Sequence, residues 1–162
     1  MHRKKLICGL VGLLVLATGT LIFAQMGMGV LKGDMSDPAQ VVSARKEFMH
    51  AIQGNMGDLN NKLKAGHIKD MAANGTSIAA LATALPVLFK ETYKEVYPVK
   101  GSATYYKGAD PAEFEAAADK LRSAGMAIME AAQKNDKAGV SAGMEALKGS
   151  CGGCHSAFRG KY

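Results

Sequence analysis

Residues 37–66 read DPAQVVSARKEFMHAIQGNMGDLNNKLKAG, a complete helix with its own start and stop. Asp37 is a good N-cap, and Pro38 behind it is tolerated at the first helical position. Val41 or Val42, Phe48 or Met49, Ile52, Met56, Leu59 and Leu63 follow at steps of three and four, which places them on one helical face. Gly66 then ends the run, since glycine accepts the left-handed conformation of a helix stop. The opening recurs as DPAE from Asp110, followed by Phe114, Ala117, Leu121, Ala124, Ile128 and Ala131, as far as the KND at Lys134.

Two more series lie between and after these. His67 to Leu85 carries Ile68, Met71, Gly75, Ile78, Ala82 and Leu85, with Pro86 as a stop and Asn74-Gly75 weakening its first turns. Asp136 opens the last, which sets Val140, Met144, Leu147, Cys151, Cys154 and Phe158 on one seam. No strand-like alternation of any length competes. Four amphipathic helices of this length predict an all-α domain, an antiparallel up-down-up-down four-helix bundle. The longest connection, residues 91–109, holds four of the five tyrosines. Their expected role is to pack the loop onto the bundle end, with docking of a partner as the alternative.

Ahead of the bundle, MHRKK and the uncharged run from Leu6 to Ala17 read as an export signal. Cleavage is expected after Gly19 or Ala24, but the apolar run continues to Ala24 and also suits an uncleaved single-span anchor. The chain thus divides into a signal peptide or anchor (1–24), a flexible link rich in Gly and Met (25–36) and the bundle domain (37–162). Either way the folded part is expected in the periplasm, and Cys8 stays with the leader. The formal net charge of +6 falls to +3 once Arg3, Lys4 and Lys5 go with it. The remaining charge is spread along the chain without a basic stripe, which argues against a nucleic-acid partner.

Cys151 and Cys154 are then the only cysteines left, inside CGGCH at residues 151–155. On a helix, positions 151, 154 and 155 stand as i, i+3 and i+4, so all three side chains point to one side. A disulfide there closes a tiny loop and adds little stability. Zinc needs four ligands, and no second cluster of Cys or His supplies them. A redox dithiol of the thioredoxin type wants an exposed helix N-terminus in an α/β fold, whereas this pair sits at a helix C-terminal end. Covalent attachment of haem c fits best, with thioethers from Cys151 and Cys154 and His155 as the axial iron ligand. Gly149, Gly152 and Gly153 each cost about 1 kcal/mol in a helix relative to Ala. Without the macrocycle, the helix is therefore expected to fray from about Leu147 onward.

A ligand for the iron's other face has to come from another helix. Arg45 and Met49 stand four apart on the first helix and face the same way. A single Met on an apolar face is usually core filler. Arg45 beside it speaks for a site, because a guanidinium at a core margin needs an anion, and haem propionates suit bidentate pairing. His50 is turned about 100° from Met49 and is expected in solvent. His67, at a helix junction, is expected to be a surface or capping residue.

The CGGCHSAFR close to the C-terminus, the four-helix pattern and the RKEFM of the first helix together resemble the class II c-type cytochromes, the cytochrome c′ group. The resemblance covers about residues 37–162. It implies Cys151 and Cys154 as the attachments of one haem c, His155 as the proximal ligand and Arg45 as the propionate partner. Arg159, one turn after His155, matches a basic residue near the proximal face. The group divides at the position of Met49. Members with a non-ligating residue there are five-coordinate and bind small gases; members with Met, the cytochrome c-556 type, are six-coordinate and low-spin. The expectation is therefore a periplasmic one-electron carrier, not an enzyme, working with periplasmic redox partner proteins. The alternative is five-coordinate binding or trapping of nitric oxide or carbon monoxide. Membrane anchoring through residues 6–24 and a homodimer are further possibilities that the resemblance leaves open.

Overall fold

A computed structural model of the chain describes residues 36–99 and 102–162, so the leader, and the link as far as Met35, lie outside the described residues. The four expected helices are all present: α1 (Pro38–Ala65), α2 (Ala72–Leu88), α3 (Pro111–Gln133) and α4 (Lys137–Phe158). Asp37 caps α1 by accepting from the Ala39 N–H at 2.9 Å, Asp110 caps α3 from Ala112 at 2.9 Å, and Asp136 caps α4 from Gly139 at 3.0 Å. Gly66 ends α1 at φ 78°, and the His67 N–H folds back onto the Lys62 carbonyl at 2.9 Å. Short links join α1 to α2 and α3 to α4, residues 89–110 join α2 to α3, and the order is up-down-up-down.

The second helix differs from its expected bounds. Its entry is a short 3₁₀ turn, Lys69–Met71, and it runs past Pro86 to Leu88. Asn74, read from sequence as a weak turn, is buried instead. Its amide donates to Asn55 Oδ1 and Asp58 Oδ2, both at 3.0 Å, and its oxygen accepts from Lys62 Nζ at 2.7 Å. A satisfied polar side chain of this kind ties α2 to α1 at the end of the bundle away from the cysteines. In α3 the inward positions are Ala118 and Ala132 rather than Ala117 and Ala131, one step round the helix.

The core is a single cluster in which Leu59, Met71, Ile78, Leu85, Ile128, Val140 and Leu147 are fully buried. The four helices do not share it equally. At the α2–α3 crossing, a Cβ on Gly75 would lie 2.6 Å from the Gly125 carbonyl oxygen, and one on Gly125 would lie 2.8 Å from the Gly75 oxygen. Backbones therefore touch, and α2 with α3 forms the most extensive contact, followed by α3 with α4. By contrast α1 and α4, which must close the ring of such a bundle, hardly approach one another. The stretch Lys69–Leu88 is long and apolar enough to cross a membrane, yet its buried stripe is the centre of this core.

One element was not legible at all. Thr104–Tyr106 (β1) pairs antiparallel with Arg159–Lys161 (β2), setting Thr104 opposite Lys161, Tyr105 opposite Gly160 and Tyr106 opposite Arg159. Strands of three residues are too short to show a period. In the structure α4 continues through Gly149, Gly152 and Gly153 to Phe158, and the residues beyond it pair with β1.

Two measurements follow from these contacts. Gly75→Ala should lower stability by about 1–3 kcal/mol through backbone overlap, whereas Gly57→Ala, with nothing within 4 Å of its added carbon, should be neutral or stabilising in the same urea titration. The Asp58 carboxylate is held below the usual range, first by its bond to Lys62 and then by Asn74. That contribution is present above the unfolded-state value of about 3.9 and disappears as pH falls through the lower folded value. The stability gap between the natural protein and Asp58→Asn should accordingly be open at neutral pH and shrink below about pH 3.9.

Candidate functional site

Along the inner face of α4, Val140 and Leu147 are 0 % exposed and Met144 is 3 % exposed. One turn later the cover ends: Cys151, Cys154, His155 and Phe158 continue the same face but are only half-buried. Gly149, Gly152 and Gly153 have open space where a side chain would stand. The seam thus runs out of packing at the motif, on the helix that stands apart from α1. Both cysteines are free thiols, and burial pushes each above its ordinary value, with the Cys151 charge adding to the rise at Cys154. His155 is held below the usual imidazole range by burial and then by Arg159, so it is neutral and available as a ligand. Among the described residues, no group of three or more His, Cys, Asp and Glu is gathered for a metal held by protein alone. A large flat apolar group bonded through both sulfurs fits this arrangement: half-open thiols, a neutral imidazole and an inner face of α4 that is only half-covered from Cys151 onward.

Arg159 lies in β2, exposed, directly after the helix; its N–H donates to the His155 carbonyl. Its charge helps to hold His155 below the usual imidazole range. Met49 is half-buried on α1 and packs against the same core cluster as Cys151. His50 is exposed, 3.8 Å from Glu47, and His67 is exposed, 4.0 Å from Asp70, both as expected for surface residues.

Arg45 has a role that the sequence did not disclose. It is 3 % exposed, and its Nε donates to the Leu88 carbonyl at 2.7 Å, while its two terminal nitrogens donate to Glu91 and Thr92 carbonyls. The cation therefore covers the negative end of α2, where carbonyls lack helical partners. Its carbon lies 4.8 Å from the Phe89 ring centre, 5.1 Å from Tyr93 and 5.5 Å from Tyr106. The place of the anion that the sequence reading asked for is thus taken in this structure by backbone carbonyls.

Tyr106 packs the loop onto the bundle end, as expected of the loop tyrosines, but its place beside the site was not foreseen. It is 5 % exposed, packs edge-on to Phe89 at 5.2 Å and to Phe114 at 5.6 Å, and Phe114 in turn meets Phe158 at 5.2 Å. Burial raises its phenol, with Arg45 opposing and Cys154 adding to the rise. Tyr106 thus links the Arg45 region of α1 to the cysteine motif of α4. Its only sequence signal was a pair of adjacent tyrosines in a long loop.

The family described as cytochrome C′ matches residues 40–159 of this chain. A curated cytochrome c′ from Pararhodospirillum photometricum is 32 % identical over 127 residues, covering 76 % of this chain and 99 % of the relative. One from Rhodospirillum rubrum is 29 % identical over 126 residues, covering 76 % and 84 %. Among solved structures, cytochrome c′ from Rubrivivax gelatinosus superposes with a TM-score of 0.62 at 25 % identity, covering 76 % of this chain and 98 % of that one. Cytochrome c′ from Thermochromatium tepidum shares the fold, with a TM-score of 0.61 at 19 % identity over 77 % and 98 % of the two chains.

Replacing Arg45 by Leu removes three hydrogen bonds at once and leaves carbonyls at the α2 end without a donor. The expected loss is about 2–4 kcal/mol in chemical denaturation, with Arg45→Lys recovering only part of it, because one ammonium cannot span three carbonyls in a plane.

Proposed function

This chain belongs to the cytochrome c′ family and carries one covalently attached haem c, and we propose that it is a periplasmic one-electron carrier whose iron is held between His155 and Met49. The observation that carries this reading is Met49. Its thioether lies one turn beyond Arg45, half-buried, against the core cluster that Cys151 also joins. When bound, the haem supplies reversible one-electron chemistry, and a Met ligand raises its potential relative to a second His.

The remaining work belongs to side chains of this protein. Cys151 and Cys154 give their sulfurs to two thioether bonds and fix the orientation of the group on α4. His155, kept neutral by burial and by Arg159, offers a nitrogen lone pair without first losing a proton. Arg45 keeps the α2 end in place. Phe89, Tyr106, Phe114 and Phe158 enclose the site with rings and limit access of water. Such packing supports small rearrangement between oxidation states, which favours rapid exchange of electrons. Export rests on the reading of residues 1–24 as a leader.

A second reading has its own support. The relatives are named cytochrome c′, and that shared name favours an open distal face, with binding or trapping of nitric oxide or carbon monoxide, more directly than it favours the carrier. In this reading Met49 is core filler, which its contact with the core cluster also suits.

The visible spectrum of the ferrous protein before and after carbon monoxide separates the two. A low-spin spectrum unchanged by the gas is the outcome expected for the carrier. Rapid binding with high-spin iron gives the second reading instead. If Met49 is the ligand, Met49→Leu converts the first behaviour into the second.

A further inference from the structure

The two faces of the ribbon are unlike. Tyr106 on the inner face packs over Phe89 and Phe114, at the site. On the outer face Tyr105 and Tyr162 lie 5.0 Å apart, and Tyr97 stands 6.4 Å from the first and 6.2 Å from the second. Gly160 makes this trio possible. A Cβ there would fall 2.3 Å from Cζ of Tyr105, so only glycine lets that ring lie flat across β2. The result is an aromatic patch reaching solvent, with Tyr162 62 % exposed.

Two lysines stand on this side. Along the ribbon side chains alternate, so Arg159 and Lys161, opposite Tyr106 and Thr104, share the inner face, whereas Lys107 shares the face of Tyr105. Lys94 lies three residues before Tyr97, and both lysines are exposed. Among the described residues neither has a salt-bridge partner. Glu95 is the acidic residue nearest in sequence to Tyr97. Lys107 Nζ donates to the Ser156 carbonyl at 3.4 Å, which keeps a cation at the end of α4. Aromatic rings beside unpaired lysines form a surface suited to transient docking: rings give contact area at low entropic cost, and the cations steer an oppositely charged partner.

We propose that the outer face of the β1–β2 ribbon, centred on Tyr97, Tyr105 and Tyr162, is the docking surface for an acidic one-electron protein. This rests on the carrier reading and names the place and the charge of its partner. The location suits the task, because β2 continues directly from the helix that bears His155 and the inner face of the same ribbon packs on the site. One electron passes from the partner's reduced centre to the ferric iron of this chain; no bond is made or broken and no proton moves.

The test uses the full haem-loaded chain and, as probe, a reduced plant-type [2Fe–2S] ferredoxin, an acidic protein of low potential. Stopped-flow measurement gives the second-order rate of haem reduction, and a small uncharged hydroquinone serves as a second reductant. The ferredoxin rate should fall as salt rises. At low salt the double variant Lys94→Glu/Lys107→Glu should lose about tenfold and Tyr162→Ser roughly threefold. Lys64→Glu, on α1 at the opposite end of the bundle, should keep the natural rate, and the hydroquinone rate should be the same in every variant. Ribbon variants that accept electrons from ferredoxin as fast as the natural protein overturn the proposal. So does binding of the ribbon patch to phosphatidylserine vesicles with no effect of the variants on the ferredoxin rate. A haem that neither reductant reduces overturns the carrier reading itself, an outcome distinct from the other two.

Discussion

The contact between Gly75 and Gly125 sets the geometry on which everything else rests. Because neither residue has a side chain, α2 and α3 meet backbone to backbone, and their apolar stripes interlock over most of their length. A pair so closely joined cannot also be centred between two outer helices at equal distance. Helix α4 follows α3 inward as far as Leu147, α1 packs on α2, and beyond Leu147 the inner face of α4 is only half-covered at the cysteines.

That half-covered face would be a weakness if its margins were loose, and they are not. Arg45 draws α1 to the last turn of α2 through three carbonyls, and its charge is shared with the rings of Phe89, Tyr93 and Tyr106. A buried cation is costly in isolation, but here it meets helix-end carbonyls and aromatic faces, both of which favour positive charge. One residue therefore fastens two helices and an aromatic cluster, which is work that a Leu in the same seam could not do.

Much of this was readable from the chain alone, for physical reasons that differ by element. The helices carried their own signals: Asp-Pro starts, apolar steps of three and four, and Gly66 as a stop. The CGGCH motif needed no tertiary information, since helical spacing alone brings its three side chains to one side. The second helix was misjudged at both ends because Asn74 finds its partners on α1, sixteen and nineteen residues earlier, and because Arg45 supports the turn after Pro86. Both are tertiary effects that override local preference. The ribbon, Tyr106 and the split of the loop tyrosines into an inner and an outer set depend on pairing between distant segments, and three-residue strands leave no periodic trace. The distal position was legible as a residue, Met49, but its chemistry depends on a bond to a group that is not an amino acid.

The ribbon also imposes an order of assembly. Its two strands are separated in the chain by the whole of α3 and α4, so closing it requires a long loop, a step disfavoured until the helices between have docked. Until that moment the last helix ends in a free strand. Once Tyr105 has settled over Gly160, the segment that follows the cysteine motif is fastened.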